Sequence, residues 1–223
     1  MADKNAGTEN FDTTVDFLIV GSGGGGMAAG ITAADRGMSA LIIDKGKTYG
    51  GSTAISGGGI WVPNAPELVR KGAGDSRESV RRYLDKVVDG KASAERLDAY
   101  VDNGPPMMEL LERSPHIEFY WVKGYSDYHP EEEGGRPLGR TTECTPFDTR
   151  KLGEDEKYQR PNSLKGPLGL WITSKDYRDL AMVKRTWRGR RASLVAAWRV
   201  SSNVIRRRHM ATGVRALVAR MRM

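Results

Sequence analysis

The residues best placed to do chemistry stand at the head of the chain. Gly21-Ser22-Gly23-Gly24-Gly25-Gly26 are spaced to hold a phosphate. An apolar run, Phe17 to Val20, precedes them and reads as a buried strand, and the helix-compatible segment Met27 to Arg36 follows. A second apolar run, Ala40 to Ile43, ends at Asp44, with Lys45 directly after it. This is the order of a dinucleotide-binding unit: strand, glycine turn, helix, strand, carboxylate. Gly21 permits the tight turn, and Gly23 lets the backbone approach a pyrophosphate. Gly26 lets the helix lie against the strand, so that its first N–H groups point at the phosphates. Asp44 lies 44 − 26 = 18 positions after the last glycine, near the roughly 20 of a carboxylate that accepts ribose hydroxyls. The plainer alternative is a glycine-rich turn in an ordinary βαβ unit.

Two further clusters follow Asp44. Gly51-Ser52-Thr53 offers exposed backbone N–H donors and hydroxyls, and Ser56-Gly57-Gly58-Gly59 leaves room for a flat ring beside the backbone. An NAD domain usually proceeds straight to its next helix, whereas a flavin nucleotide needs a long groove lined by backbone. The clusters therefore point to a flavin.

The rest of the chain must position these residues. At 223 residues, 39% hydrophobic and 28% charged, it suits a soluble protein with a modest core. No apolar stretch approaches the roughly 18 residues of a membrane span, and residues 1–13 read as a flexible lead-in without a secretory signal. The single Cys144 excludes an internal disulfide and fits a reducing compartment, so the expected location is cytoplasmic. His116, His129 and His209 have no metal-ligand spacing. Helices are expected over 76–88, capped by Asp75 or Ser76, and over 93–101, with a break at Gly104-Pro105-Pro106 that starts a third. Ile117 to Val122 reads as a strand, and residues 124–152 as a long irregular loop with a functional role. Leu170 to Thr173 reads as extended, with Ser174 capping a helix through Val183, and helices follow over 190–205 and 211–221.

The blocks VGSGGGGMAAGITAADRG and DKGKTYGGSTAISGGGIWVPN resemble the FAD-binding flavoproteins of the fumarate reductase and 3-ketosteroid dehydrogenase group. GYSDYHPEEEGGRPLGR and GLWITSKDYRDL are similar to the 3-ketosteroid Δ1-dehydrogenase branch, and the resemblance extends over almost all of residues 15–221. It implies an α/β, Rossmann-like FAD-binding domain over residues 14–223, with the dinucleotide unit at 14–64 and without a substrate domain or C-terminal return. It implies FAD on the Gly21–Gly26 turn and Asp44, with Gly51, Ser52, Thr53, Ser56, Gly57 and Gly58 lining the pyrophosphate and ring side. The implied reaction passes a hydride from the A ring of a lipophilic 3-ketosteroid to FAD, with an electron acceptor to follow. Tyr128 falls where the family has its N-terminal active-site tyrosine, with Tyr125 as competitor for that role. A phenol with a pKa near 10 serves as a hydrogen-bond donor or relay. Two departures stand out: Asp44 is shorter than the usual glutamate, and Gly24 and Gly25 replace alanine, which loosens the helix start. The residues that abstract the proton and bind the ketone would lie beyond Met223, so turnover by this chain alone is expected to be absent or very weak.

Charge is unevenly divided. Residues 184–223 carry twelve Lys and Arg and no acid, so the remainder carries +7 − 12 = −5. This basic helical tail sets an alternative: a non-catalytic module recruiting anionic lipid or nucleic acid. On the flavoprotein reading no nucleic acid is expected, the arginines face solvent or acidic partners, and peripheral membrane contact suits a lipophilic substrate. A fumarate reductase-like enzyme acting on a dicarboxylate is a further alternative.

Overall fold

The computed structural model describes residues 11–161 and 171–223. Its first unit is β1 (Phe17–Val20), α1 (Gly24–Asp35) and β2 (Ala40–Ile43). The strands pair in parallel from Phe17 opposite Ala40 to Val20 opposite Ile43. Parallel neighbours need a crossover, and α1 supplies it. Ile19 of β1 and Met27 and Ala33 of α1 are buried. At Gly30 a side chain would press to 3.1 Å from the Ile42 methyl, which explains the small residue there.

A second sheet has the order β3 (Ile60–Trp61), β5 (Thr141–Cys144), β4 (Phe119–Trp121), all antiparallel. Helices α2 (Pro66–Arg70), α3 (Arg77–Val88) and α4 (Ala94–Glu112) pack around it. The main core joins Val62, Leu68, Met108, Leu111, Ile117, Phe119 and Cys144 to Leu217 of α7 (Gly213–Arg222). Val218 of α7 also closes on Met27 and Ala54, tying the first unit to the rest. A short ribbon, β6 (Phe147–Asp148) with β7 (Met210–Ala211), leads into α7, while α5 (Ser174–Ala181) and α6 (Trp187–Arg206) pair with each other.

Several expectations need correction. The opening strand is formed but is not buried: Leu18 is 57% and Val20 80% exposed, because the two-stranded sheet is covered by α1 on one face only among the described residues. Helix α1 begins at Gly24, three residues before Met27. The break at Gly104-Pro105-Pro106 does not occur, and α4 runs unbroken through both prolines. An interior proline costs a helix about 3 kcal/mol. Burial of Val101, Met108 and Leu111 on both sides of the prolines offsets that, and Gly104 lets the helix come down onto Val62. The long irregular segment hides β5, the central strand of its sheet. Ser76 caps α3 as expected, with Ser79 N–H donating to its hydroxyl at 3.1 Å. Thr173, not Ser174, caps α5 through a reciprocal box with Asp176, and that helix stops at Ala181. Thr173 is extended as expected, at φ −91° and ψ 166°, while Leu170 and residues 1–10 of the expected lead-in lie outside the described residues. The basic tail is not one kind of structure: Val214, Ala216, Leu217, Val218 and Ala219 of α7 are core, whereas α6 lies at the surface.

Candidate functional site

The glycine turn is braced by side chains from three directions. Gly21 has φ +104°, open only to glycine at low cost, and its N–H donates to Ile43 O at 2.7 Å, so the turn closes over β2. Asp44 Oδ2 accepts from Ser22 N–H at 2.9 Å and from the Ser22 hydroxyl at 2.5 Å, and Oδ1 accepts from Gly46 N–H at 2.9 Å. The Ser22 hydroxyl, followed by the Gly46 and Ser22 N–H groups, holds the Asp44 carboxyl down at about 2. Gly24 N–H donates to Thr53 Oγ1 at 2.9 Å, which caps α1 from the neighbouring loop. A Cβ at Gly24 would stand 3.0 Å from that hydroxyl, so the glycine that loosens the helix start also admits its cap. At Gly26 a Cβ would fall 1.9 Å from Gly21 O, and at Gly51 it would fall 3.0 Å from Gly23 Cα.

These contacts fit a dinucleotide. Space is open outside Gly21 and Gly25, where a Cβ would meet nothing within 4 Å. The opening N–H groups of a helix have no partner within it, so those of Gly25 and Gly26 are available to phosphate oxygens. The Thr53 hydroxyl accepts from Gly24 and keeps its own proton to donate. Asp44 fits less completely. Three of its roughly four acceptor positions are filled by the protein. A ribose hydroxyl is left with Oδ1. Lys45 and Ser52 are exposed beside this cluster.

A cleft of about 660 Å³ opens on the other side of the 53–59 loop. Ser56 and Gly57 form one wall, Tyr125 and Tyr128 another, and Trp61, Glu143 and Ser174 line it as well. Gly57 faces open space, but Gly58 does more packing than admitting: with φ +102° it sits where a Cβ would lie 2.7 Å from Gly213 Cα. Tyr128 is 86% exposed at the mouth, while Tyr125 is 39% exposed. Burial raises the Tyr125 phenol, and the neighbouring Tyr128 and Glu143 add to the rise. Glu143, itself buried, accepts from the Tyr120 and Ser174 hydroxyls. Burial and that carboxylate push the Tyr120 phenol far up, so it remains a donor.

The residues that set this wall were not singled out from the sequence. Arg140 is 1% exposed and bridges two buried carboxylates, Asp75 and Asp127. Its guanidinium also donates to Gly134 O at 2.6 Å and lies 5.7 Å over Trp61 and 5.4 Å over Tyr83. Asp127 also accepts from Trp61 Nε1 at 2.7 Å and from Arg136 N–H at 3.0 Å. The segment 125–128 that carries both tyrosines is thus folded around one buried cation. The available signal was the Thr141-Thr142 pair flanked by Arg140 and Glu143, a β-branched run with charges at its ends.

Of the expected site residues, the structure brings Gly21 to Gly26, Asp44, Gly51 and Thr53 into one cluster, and Ser56, Gly57, Gly58 and Tyr128 into the cleft. The 53–59 loop joins the two. Among the described residues no group of His, Cys, Asp and Glu is arranged for a metal, and no helix is long and apolar enough to cross a membrane.

Comparison with known proteins agrees with this geometry. A family model described as the FAD binding domain matches residues 16–222. The chain is 40% identical over 207 residues to the 3-oxosteroid 1-dehydrogenase of Mycolicibacterium smegmatis, covering 93% of this chain and 36% of that protein. It is 45% identical over 174 residues to the 3-oxosteroid 1-dehydrogenase of Mycobacterium tuberculosis, covering 78% of this chain and 31% of that protein. A crystal structure of 3-ketosteroid delta1-dehydrogenase from Sterolibacterium denitrificans, in complex with 1,4-androstadiene-3,17-dione, superposes with a TM-score of 0.76 at 28% identity, over 93% of this chain and 38% of that one. The chain thus spans about a third of the length of the relatives it matches. With the braced glycine turn and the match over residues 16–222, the chain belongs to the FAD binding domain family.

Proposed function

We propose that this chain builds the cofactor end and one substrate wall of a 3-ketosteroid Δ1-dehydrogenase, an enzyme that desaturates the 1,2 bond of the steroid A ring. The observation that carries the reading is the adjacency of the two sites: one loop, residues 53–59, faces the nucleotide turn through Thr53 and the cleft through Ser56 and Gly57. The opening unit is the parallel βαβ of a Rossmann-like domain. FAD held there would supply the hydride acceptor. This chain's residues do the rest of the work assigned to this end. Gly25, Gly26 and Thr53 would donate to the pyrophosphate; Gly21 and Gly23 would let it approach, with Gly51 and Ser52 beside it. Asp44 holds a ribose hydroxyl through Oδ1, with Lys45 adjoining, and Gly57 and Gly58 border the ring side.

In the cleft, Trp61, Tyr125 and the flat backbone at Gly57 give an apolar wall suited to a steroid ring system. Tyr128 is the phenol that supports proton removal, and Tyr125 behind it keeps its proton and donates. Glu143, held by Tyr120 and Ser174, fixes the start of α5 at the rim.

The test is direct. Purified chain is incubated with FAD, desalted, and its visible absorbance measured. Retention of about one flavin per chain is expected, and loss of all flavin would overturn the cofactor assignment. Addition of 1,4-androstadiene-3,17-dione to the loaded protein is expected to shift the flavin bands and quench Trp61. An unchanged spectrum with retained flavin would remove the steroid reading alone.

A further inference from the structure

A second concavity lies away from the glycine turn and the tyrosine cleft. Its volume is about 370 Å³, and it opens where β6, β7 and the last turn of α7 meet. Its walls carry Arg150, Lys151, Arg208 and Arg220 against one carboxylate, Asp148, so the net charge is 4 − 1 = +3. Asp148 is already spent. It accepts from Arg150 Nε at 3.0 Å, and from the backbone N–H groups of Arg150 and His209 at 3.3 Å. Those bonds, the Arg150 guanidinium first, hold the Asp148 carboxyl down at about 2, so it stays anionic beside Arg150. The other three cations have no such partner: among the described residues no carboxylate pairs with Lys151, Arg208 or Arg220. Elsewhere in the basic stretch several arginines do find acids. Arg188 lies 3.7 Å from Asp179, Arg199 2.6 Å from Asp176 and Arg222 2.7 Å from Asp155. The unmatched charge is thus gathered in one concavity.

Arg220 shows what is wanting there. It is half-buried, and its guanidinium donates to Thr145 O at 3.2 Å, Thr145 Oγ1 at 2.7 Å, Pro146 O at 3.0 Å and the His116 carbonyl. Every acceptor is neutral. The bonds fix the guanidinium in place, yet they leave a partly desolvated positive charge without a counterion. The buried Phe147 ring brings a second cation close: Arg220 lies 5.1 Å and Lys151 5.8 Å from its centroid. Two like charges over one ring repel each other, and an anion reaching both would turn that repulsion into attraction. A surplus of three charges, offered by an ammonium and two guanidinium groups, suits a dianion better than a single carboxylate. A phosphate monoester carries nearly two negative charges and three acceptor oxygens. Phe147 and Met210 add apolar surface for an organic group, and the volume is that of a small-molecule site. We infer that this concavity binds the phosphate group of a small organic monoester, with Lys151 and Arg208 on its oxygens and Arg220 as the fixed charge behind them. No residue of the flavin or steroid reading takes part, so the inference stands or falls without that reading.

The experiment reads Lys151 itself, which separates this site from phosphate bound at the glycine turn. The whole chain is labelled briefly with an amine-reactive acetyl ester at constant ionic strength. Each lysine is followed by peptide mass spectrometry while phenyl phosphate is added. Labelling of Lys151 is expected to slow by roughly tenfold at saturation, with the exposed Lys91 and Lys157 unchanged. Benzoate has the same ring with one charge, and about tenfold more of it is expected to be needed for the same protection. Arg208→Gln is expected to raise the phenyl phosphate concentration needed by about tenfold. Because Arg208 is exposed, far-ultraviolet circular dichroism of that variant is expected to be unchanged. No protection of Lys151, equal slowing of all lysines, or equal protection by phenyl phosphate and benzoate would overturn the inference. So would a Lys151 that is already slow to react before any ligand is added, because a carboxylate of the protein would then hold the site.

Discussion

Replacing Arg140 by methionine tests how the cleft wall is held. The side chain is close in length, so the change removes charge and donors more than volume. Wild-type Arg140 satisfies Asp75, Asp127 and Gly134 O and is 1% exposed. Removing one member of a buried ion pair costs about 3 to 5 kcal/mol, because the partner charge stays buried. The local donors decide where in that range the cost falls. Asp75 keeps Arg136 Nε at 3.3 Å, and Asp127 keeps Trp61 Nε1 at 2.7 Å and Arg136 N–H at 3.0 Å. Neither carboxylate is left bare, so the expected loss is near the lower end, about 3 kcal/mol. For a chain of this size that lowers the melting midpoint by about 6 to 12 °C. The assay is urea unfolding followed by circular dichroism, with limited proteolysis of the 124–139 segment alongside. Arg140→Met is expected to open that segment to cleavage, and adding Asp127→Asn is expected to restore part of the stability, since the orphaned charge is then gone. A midpoint within about 1 kcal/mol of wild type, with the segment still protected, would refute the claim that Arg140 organises the wall.

Two further outcomes follow from contacts that leave little room. Gly58→Ala puts a methyl 2.7 Å from Gly213 Cα at φ +102°, so about 2 to 4 kcal/mol of stability should be lost in urea unfolding, with weaker flavin retention. Burial pushes the Cys144 thiol up to about 11, so Ellman's reagent should fail to titrate it in folded protein at pH 8 and react once in denaturant. The sign is that of a raised pKa: the neutral thiol's stabilisation is complete below about pH 8.5 and is lost as pH rises through about 11. Cys144→Ala should flatten the decline in urea midpoint between pH 8 and pH 11.

The glycine turn was legible because its physics is local. A glycine at φ +104° and a helix start facing open space are properties of neighbouring residues. The bond from Gly24 N–H to the Thr53 hydroxyl spans 29 positions, yet GGST already announced hydroxyls and N–H groups near a phosphate. Legibility failed where the third dimension sets the outcome. Strand β5 carries Thr, Thr, Glu and Cys and shows no alternation, yet it is the middle strand because β3 and β4 both find it. The helix α4 ignores two prolines because the core on either side rewards continuity. The arginines of residues 184–223 read as one tail, although Arg215 donates to Gln159 at 3.2 Å and Arg220 to Thr145 O at 3.2 Å from inside the fold. Arg140 was invisible as a buried residue, since only its two distant carboxylates make burial tolerable.

The contact between Gly58 and Gly213 also has a meaning in time. The loop that borders both sites is wedged in place by a helix whose first residue is made 213 − 58 = 155 residues later. At synthesis rates of about 5 to 20 residues per second, the nascent loop waits roughly 8 to 30 s before its stop exists. During that interval β1 and β2 can already pair, because their partners lie close in sequence. The glycine turn is therefore the part that can form early on the ribosome, and the cleft wall the late one. If the proposed cofactor site is right, the turn is the part a cofactor present during translation would meet first, while the wall beyond it is still unset.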